Sequence, residues 1–169
     1  KLPKGLQGAV KVQEGEPTQS VGDQEAIQKL FPHTYGMPLV EFVPGDEAQS
    51  QRMNVGIILS GGQAPGGHNV ISGIFDAVKK LNPENKLYGF LMGPGGLVDH
   101  DYKELTADII DEYRNTGGFD MIGSGRTKLE KVDQFEKGLE IIRELDIKAI
   151  VIIGGDDSNT NACVLAEYY

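Results

Sequence analysis

The sequence predicts a doubly wound α/β domain over residues 54–169, a mostly parallel sheet with flanking helices, preceded by an irregular N-terminal arm over residues 1–53. Three observations point there. Short apolar runs that do not alternate recur along the second part of the chain, as strands covered on both faces require. Stripes of helical period fill the intervals between those runs, and glycine clusters follow the runs. The resulting order, β-α-β-α-β-α-β-α, suits parallel strands joined by crossover helices.

Residues 1–53 carry weak periodicity. Pro3, Pro17, Pro32, Pro38 and Pro44 alternate with Gly5, Gly8, Gly15, Gly22, Gly36 and Gly45. One short helix is expected over 24–30, and the rest reads as an extended arm laid across a partner surface. From residue 54 strands are expected at 55–59, 87–92, 119–122 and 149–153, each rich in β-branched or aromatic residues. Val70, Ile71, Ile74, Phe75, Val78 and Leu81 mark the first helical stripe, which Asn82-Pro83 ends. Tyr102, Leu105, Ile109, Ile110 and Tyr113 mark the second, with Asp101 as its N-cap. Val132, Phe135, Leu139, Ile142 and Leu145 mark the third, and Thr127 with Glu130 reads as its capping box. A fourth helix is expected from about Ser158.

Composition narrows the function. A chain of 169 residues fits one domain, or one domain plus a tail, and can bury a core without metal or disulfide help. Lys and Arg number 16 against 25 Asp and Glu, a net charge of −9. Nucleic-acid binding and an acidic membrane surface both demand clustered cations, so neither partner is expected. No apolar run approaches the roughly 20 residues of a membrane helix. The lone Cys163 excludes an internal disulfide and fits a reducing cytoplasm. The chain opens on Lys1 and ends at Tyr169 within a helical pattern, so it reads as a piece of something longer.

Glycine numbers 23, and 11 of these fall just past the expected strand ends: Gly61, Gly62, Gly66, Gly67, Gly93, Gly95, Gly96, Gly123, Gly125, Gly154 and Gly155. The carboxyl edge of a parallel sheet is where such folds bind ligands. Glycine there brings backbone N–H groups close to an anion, and the helix N-termini that follow add a positive field. Glycine also serves plain tight turns, so one cluster would mean little. Four on one edge favour a phosphate-type site.

The first loop, Ser60-Gly61-Gly62-Gln63-Ala64-Pro65-Gly66-Gly67-His68-Asn69, is neither G-x-G-x-x-G nor a Walker loop. It reads as a backbone-rich anion cradle. His68 either touches a ligand or packs locally. In Gly123-Ser124-Gly125-Arg126 a guanidinium stands beside glycines, where it clamps phosphate oxygens unless it is merely solvated. In Gly154-Gly155-Asp156-Asp157-Ser158 two adjacent carboxylates repel each other and a bare phosphate. A divalent cation between protein and phosphate reconciles them, and Mg2+ typically takes one or two carboxylates plus phosphate oxygens and water. Plain helix capping by Asp157 or Ser158 is the competing reading.

Taken in order, Gly-Gly-Gln-Ala-Pro-Gly-Gly-His-Asn, Gly-Ser-Gly-Arg and Gly-Gly-Asp-Asp-Ser-Asn-Thr-Asn-Ala closely resemble the phosphofructokinase family. More narrowly they resemble its long, diphosphate-dependent type from plants and some bacteria and protists. The resemblance covers roughly residues 31–169, opening on Phe31-Pro-His-Thr-Tyr-Gly, and implies that 54–169 is the donor-binding part of that family's N-terminal domain, cut short at its C-terminal end. It implies reversible phosphoryl transfer from diphosphate to the 1-hydroxyl of fructose 6-phosphate, with Mg2+ as cofactor and a homo-oligomer, or a hetero-oligomer of related subunits, as the assembly. By the same likeness Gly61, Gly62 and Gly155 lie against the donor diphosphate, Arg126 contacts its phosphates, and Asp156 coordinates Mg2+. Asp157 sets donor specificity, because ATP-using relatives carry glycine there and an aspartate obstructs a nucleotide. Gln63 and one extra residue before Asn69 also depart from the ATP-using pattern. The family's general base belongs to a Thr-Ile-Asp-Asn-Asp-like loop that this sequence lacks, so no catalytic base is expected before Tyr169 and the chain is expected to be inactive alone. A non-catalytic regulatory subunit of the same family is the alternative; another kinase with a Gly-Gly-Asp loop leaves the first and third loops unexplained.

Overall fold

The computed structural model describes residues 8–46 and 52–169, which fall into two compact units divided at Ser50/Gln51. Residues 1–7 and 47–51 of the expected arm, Pro3 and Gly5 among them, lie outside the described residues.

The first unit is more regular than an extended arm. Strand β1 (Val10–Pro17) pairs antiparallel with β2 (Pro38–Pro44), and α1 (Gln24–Leu30) lies in the connection between them. Val12 faces Phe42 across the ladder, the β-branched–aromatic kind of pair that stabilises a sheet, and Val10 faces Pro44. The two prolines of β2 sit at its ends, where a missing N–H costs least. Only the long connection, with no hairpin dipeptide, hides this pairing from the sequence.

The second unit holds a four-stranded sheet in the order β5-β4-β3-β6. Its elements are β3 (Asn54–Leu59), α2 (Gly67–Leu81), β4 (Leu87–Phe90), α3 (Pro94–Asp99), β5 (Tyr102–Glu104), α4 (Ala107–Tyr113), α5 (Val132–Glu144), β6 (Ile147–Ile153) and α6 (Asp156–Tyr168). Both neighbours of β3 run parallel to it, while β5 is antiparallel to β4. All six residues of β3 are buried, because cores lie on both faces. Val55, Ile57 and Leu59 pack with Ile71, Phe75 and Ile110, whereas Ile58 faces Phe90, Leu97, Phe135 and Ile141. A run without polar alternation is the mark of such a strand. β6 pairs only with β3 among the described strands, and most of it is partly or fully exposed.

Several expected elements take a different form. Residues 119–122 are turn, not strand. Phe119, Met121 and Ile122 are buried in the core beside α2, yet their backbone closes on itself through the Gly123 N–H to the Phe119 carbonyl, 2.8 Å. Burial supplied the apolar run without a ladder, leaving one isolated parallel bridge between Ser60 and Gly125. The stretch from Asp101 is not one helix: Tyr102–Glu104 form β5, and α4 starts after Thr106. The second glycine cluster opens α3, with Pro94 in its first turn. Helix α5 begins at Val132 rather than near Thr127. Its start is closed by Gln134, whose Oε1 accepts from the Glu130 and Lys131 backbone N–H groups at 2.9 and 3.0 Å.

Two polar ties hold this frame together. Asn54 donates to the Leu145 carbonyl and accepts from the Lys86 N–H, fixing the start of β3. Arg114 grips both carboxylate oxygens of Asp76 at 2.9 and 3.0 Å, joining α4 to α2.

Candidate functional site

The site grows from the carboxyl ends of β3 and β6. The chain leaves β3 through Ser60 into Gly61, whose φ of +97° lies in the left-handed region that glycine alone enters freely. The Gly61 N–H donates to the Gly125 carbonyl at 2.8 Å, tying the first loop to the third. Ser158 Oγ donates to Ser60 Oγ at 2.8 Å, tying the first loop to α6. Gly154 is packed tightly here: a Cβ on it would meet the Ser60 carbonyl oxygen at 2.6 Å. A further clamp holds the third loop to α6. Asn161 accepts from the Leu129 N–H at 3.0 Å and donates to the Leu129 carbonyl at 2.6 Å.

These ties enclose an open hollow of about 670 Å³ whose lining includes Gly61, Gly62, Arg126, Gly155, Asp156 and Asp157. All six residues singled out from the sequence meet there. The Arg126 guanidinium lies over Gly62, its Nη2 only 2.9 Å from where a Cβ would sit. Gly155 differs, for nothing lies within 4 Å of its Cβ position. Gly155 is the N-cap of α6 and no side chain caps that helix, so capping by Asp157 or Ser158 does not occur. Asp156 and Asp157 occupy the first turn of α6, exposed, where the helix dipole favours negative charge.

Other expected residues are elsewhere. Gly93, Gly95, Gly96, Gly123 and Gly125 do not line the hollow. A Cβ on Gly93 would strike the Gly125 backbone, and one on Gly96 the Leu91 and Asp101 backbone, so these glycines serve close packing. His68 packs locally. It is 1% exposed, its Nδ1 bonds Thr116 Oγ1 at 2.7 Å, and its Nε2 accepts the Met121 N–H at 2.9 Å. Burial, partly opposed by the Asp120 carboxylate at 3.2 Å, pushes its pKa below the ordinary value of 6.5. The sequence reading also missed part of the lining. Ser60, Ser158, Asn161 and Lys128 wall an adjoining hollow of about 190 Å³. Lys128 Nζ stands 3.8 Å from Asp157 Oδ2.

The donor chemistry suits a polyanion met partly through a metal ion. The Asp156 carboxylate has no hydrogen-bond or ion-pair partner among the described residues. Those residues also contain no cluster of three or more His, Cys, Asp or Glu able to cage an ion. One free carboxylate beside glycine amides fits Mg2+ that keeps its waters and arrives with phosphate oxygens.

Residues 54–169 match the family model described as Phosphofructokinase. The chain is similar to proteins named pyrophosphate--fructose 6-phosphate 1-phosphotransferase. One from Porphyromonas gingivalis is 69% identical, with 100% of this chain and 31% of the relative covered. Another from Entamoeba histolytica is 52% identical, over 99% of this chain and 31% of the relative. The chain thus spans under a third of the length of these curated relatives. Among solved structures, Pichia pastoris phosphofructokinase in the T-state aligns with TM-score 0.59 at 27% identity, over 72% of this chain and 13% of that one. A Nitrosospira multiformis pyrophosphate-dependent phosphofructokinase shares the fold at TM-score 0.61 and 22% identity, over 68% of this chain and 29% of that one. With the family match running unbroken from Asn54 to Tyr169, the chain belongs to the phosphofructokinase family.

Proposed function

We propose that the protein to which this chain belongs transfers a phosphoryl group from diphosphate to the 1-hydroxyl of fructose 6-phosphate, reversibly, and that this chain supplies the donor side. In the forward direction the P–O–P bond of diphosphate breaks and the sugar O–P bond forms. Inorganic phosphate leaves, and the hydroxyl proton passes to a base that this stretch does not contain.

The observation that carries this reading is the single hollow that Gly61, Gly62, Arg126, Gly155, Asp156 and Asp157 all line. In-line phosphoryl transfer depends mostly on positioning and charge neutralisation. The Gly61 and Gly62 turn and the start of α6 would orient the donor, and Arg126 would hold its phosphate oxygens. Asp156 would hold Mg2+, which when bound supplies further neutralisation of the donor. Asp157 would narrow the cleft to a short donor. The plant relatives are named as subunits alpha and beta, which supports assembly from like or related subunits. The free Cys163 and the absence, among the described residues, of a helix long and apolar enough to cross a membrane fit a cytoplasmic enzyme.

The test is an assay of the full-length protein, purified alone, with fructose 6-phosphate, Mg2+ and either diphosphate or ATP. Turnover with diphosphate and little with ATP is expected. No turnover with diphosphate, in either direction, would overturn the proposal and leave a non-catalytic subunit as the reading.

A further inference from the structure

One cation in the cleft has no role so far. Lys128 lies two residues beyond Arg126, in a loop pinned to α6 by the paired Asn161–Leu129 hydrogen bonds. That clamp fixes the Lys128 backbone beside the first turn of α6, and its Nζ reaches to 3.8 Å from Asp157 Oδ2. The pair sits between two spaces. On one side is the hollow of about 190 Å³ lined by Gly61, Arg126 and Ser158; on the other is one of about 360 Å³ lined by Leu129, Thr160, Asn161 and Val164. Lys128 and Asp157 line both.

An exposed ion pair contributes little to stability. Its place across a cleft is a different matter. Asp157 alone would put a negative charge beside a donor that carries several, which costs binding energy at short range. A partner ammonium offsets that charge while keeping the carboxylate stretched across the passage. We propose that Lys128 is a specificity-determining positioning residue: it holds and neutralises Asp157, so that the cleft admits diphosphate at its inner end and stays closed toward the outer hollow that a longer donor would need. The inference rests on the diphosphate reading above.

The experiment uses the full-length enzyme with Lys128→Met, Lys128→Arg, Asp157→Asn and the Lys128→Met/Asp157→Asn double variant. Lys128→Met is expected to raise KM for diphosphate about tenfold, with kcat and KM for fructose 6-phosphate changed less than about twofold. Lys128→Arg should recover most of the loss, because the charge is kept. In the Asp157→Asn background the Lys128→Met effect should shrink below about twofold, the non-additivity that marks one residue acting through another. An unchanged KM in Lys128→Met overturns the proposal. So does an equal loss in both backgrounds, which would make Lys128 a direct phosphate ligand independent of Asp157. Wild-type protein without diphosphate turnover is a separate outcome, since it overturns the functional reading itself.

Discussion

The imidazole Nε2 of His68 accepts a hydrogen bond from the backbone N–H of Met121, 2.9 Å away. This ties the first turn of α2 to the buried apolar turn that follows α4. Thr116 Oγ1 donates to the Tyr113 carbonyl, so it accepts from the other ring nitrogen, and the bond pattern assigns a neutral Nδ1–H ring. The same turn is stitched to the end of the first glycine loop, through the Gly66 and His68 N–H groups donating to the Gly117 and Gly118 carbonyls. Of the two readings the sequence leaves open for His68, ligand contact and local packing, the structure shows the second, a rivet beneath the loop.

Protonating His68 would turn Nε2 from acceptor to donor and break the Met121 bond. Burial lowers its pKa in the fold, with Asp120 opposing in part. A depressed histidine contributes stability that is fully present above its ordinary value of 6.5 and is lost as pH falls through the lower folded value. In the full-length protein the melting temperature should therefore drop as pH falls below about 6.5. His68→Gln should flatten that part of the curve while costing about 1–3 kcal/mol at neutral pH. Parallel curves for the two proteins would show that His68 does not titrate against folding.

The strands beginning at Asn54 and Leu87 were legible because a chain buried on two faces cannot hide its composition, and the one beginning at Ile147 because its run is apolar although most of it is partly or fully exposed. The turn over 119–122 misled for the same reason, since burial and strand leave one signature in a four-residue run. Tyr102 and Leu105 fit a helical stripe only because β5 and the approach to α4 both contribute to the core by other routes. In the cleft, Gly61, Gly62, Arg126, Gly155, Asp156 and Asp157 were legible from loops with a family pattern. Lys128 was not. Its position depends on where Asn161 clamps Leu129, a contact between residues 32 apart in the sequence.

The two glycines ahead of α6 should respond oppositely to an added methyl group. At Gly154 a Cβ meets Ser158 and the Ser60 carbonyl oxygen, whereas at Gly155, a residue that lines the hollow, it meets nothing within 4 Å. Gly154→Ala should destabilise the full-length protein by about 2–4 kcal/mol. Gly155→Ala should leave its melting temperature within about 2 °C and raise KM for diphosphate several-fold, since the methyl occupies donor space. Thermal denaturation and steady-state kinetics together read this. A Gly155→Ala enzyme with normal KM would mean that the donor does not approach the start of α6.

Asp157→Gly should change which donor is used. Removing the carboxylate opens the passage between the two hollows flanking it, and with it the space a nucleotide needs. The full-length variant should gain measurable ATP-dependent turnover. Diphosphate kcat/KM should fall by about tenfold or more, because the short donor is no longer confined in one pose. Competition kinetics with both donors is the measurement. Undiminished diphosphate use together with continued refusal of ATP would remove Asp157 as the gate.

Asp156→Ala should separate folding from turnover. Its carboxylate is exposed and without a partner among the described residues, so its loss leaves no buried group unsatisfied and the melting temperature should stay within about 2 °C. It is also the free carboxylate of the hollow, since Asp157 is engaged by Lys128. If it anchors Mg2+, the variant should lose about 100-fold or more in kcat. Raising Mg2+ should recover only part of that, because the ion would still bind diphosphate but would lose its hold on the protein. Asp156→Asn, which keeps the shape and one oxygen donor, should fall between the two. Near-normal turnover of Asp156→Ala at saturating Mg2+ would place the metal anchor elsewhere in the enzyme, and chelator titration of wild type and variant side by side would then give the same midpoint rather than a shifted one.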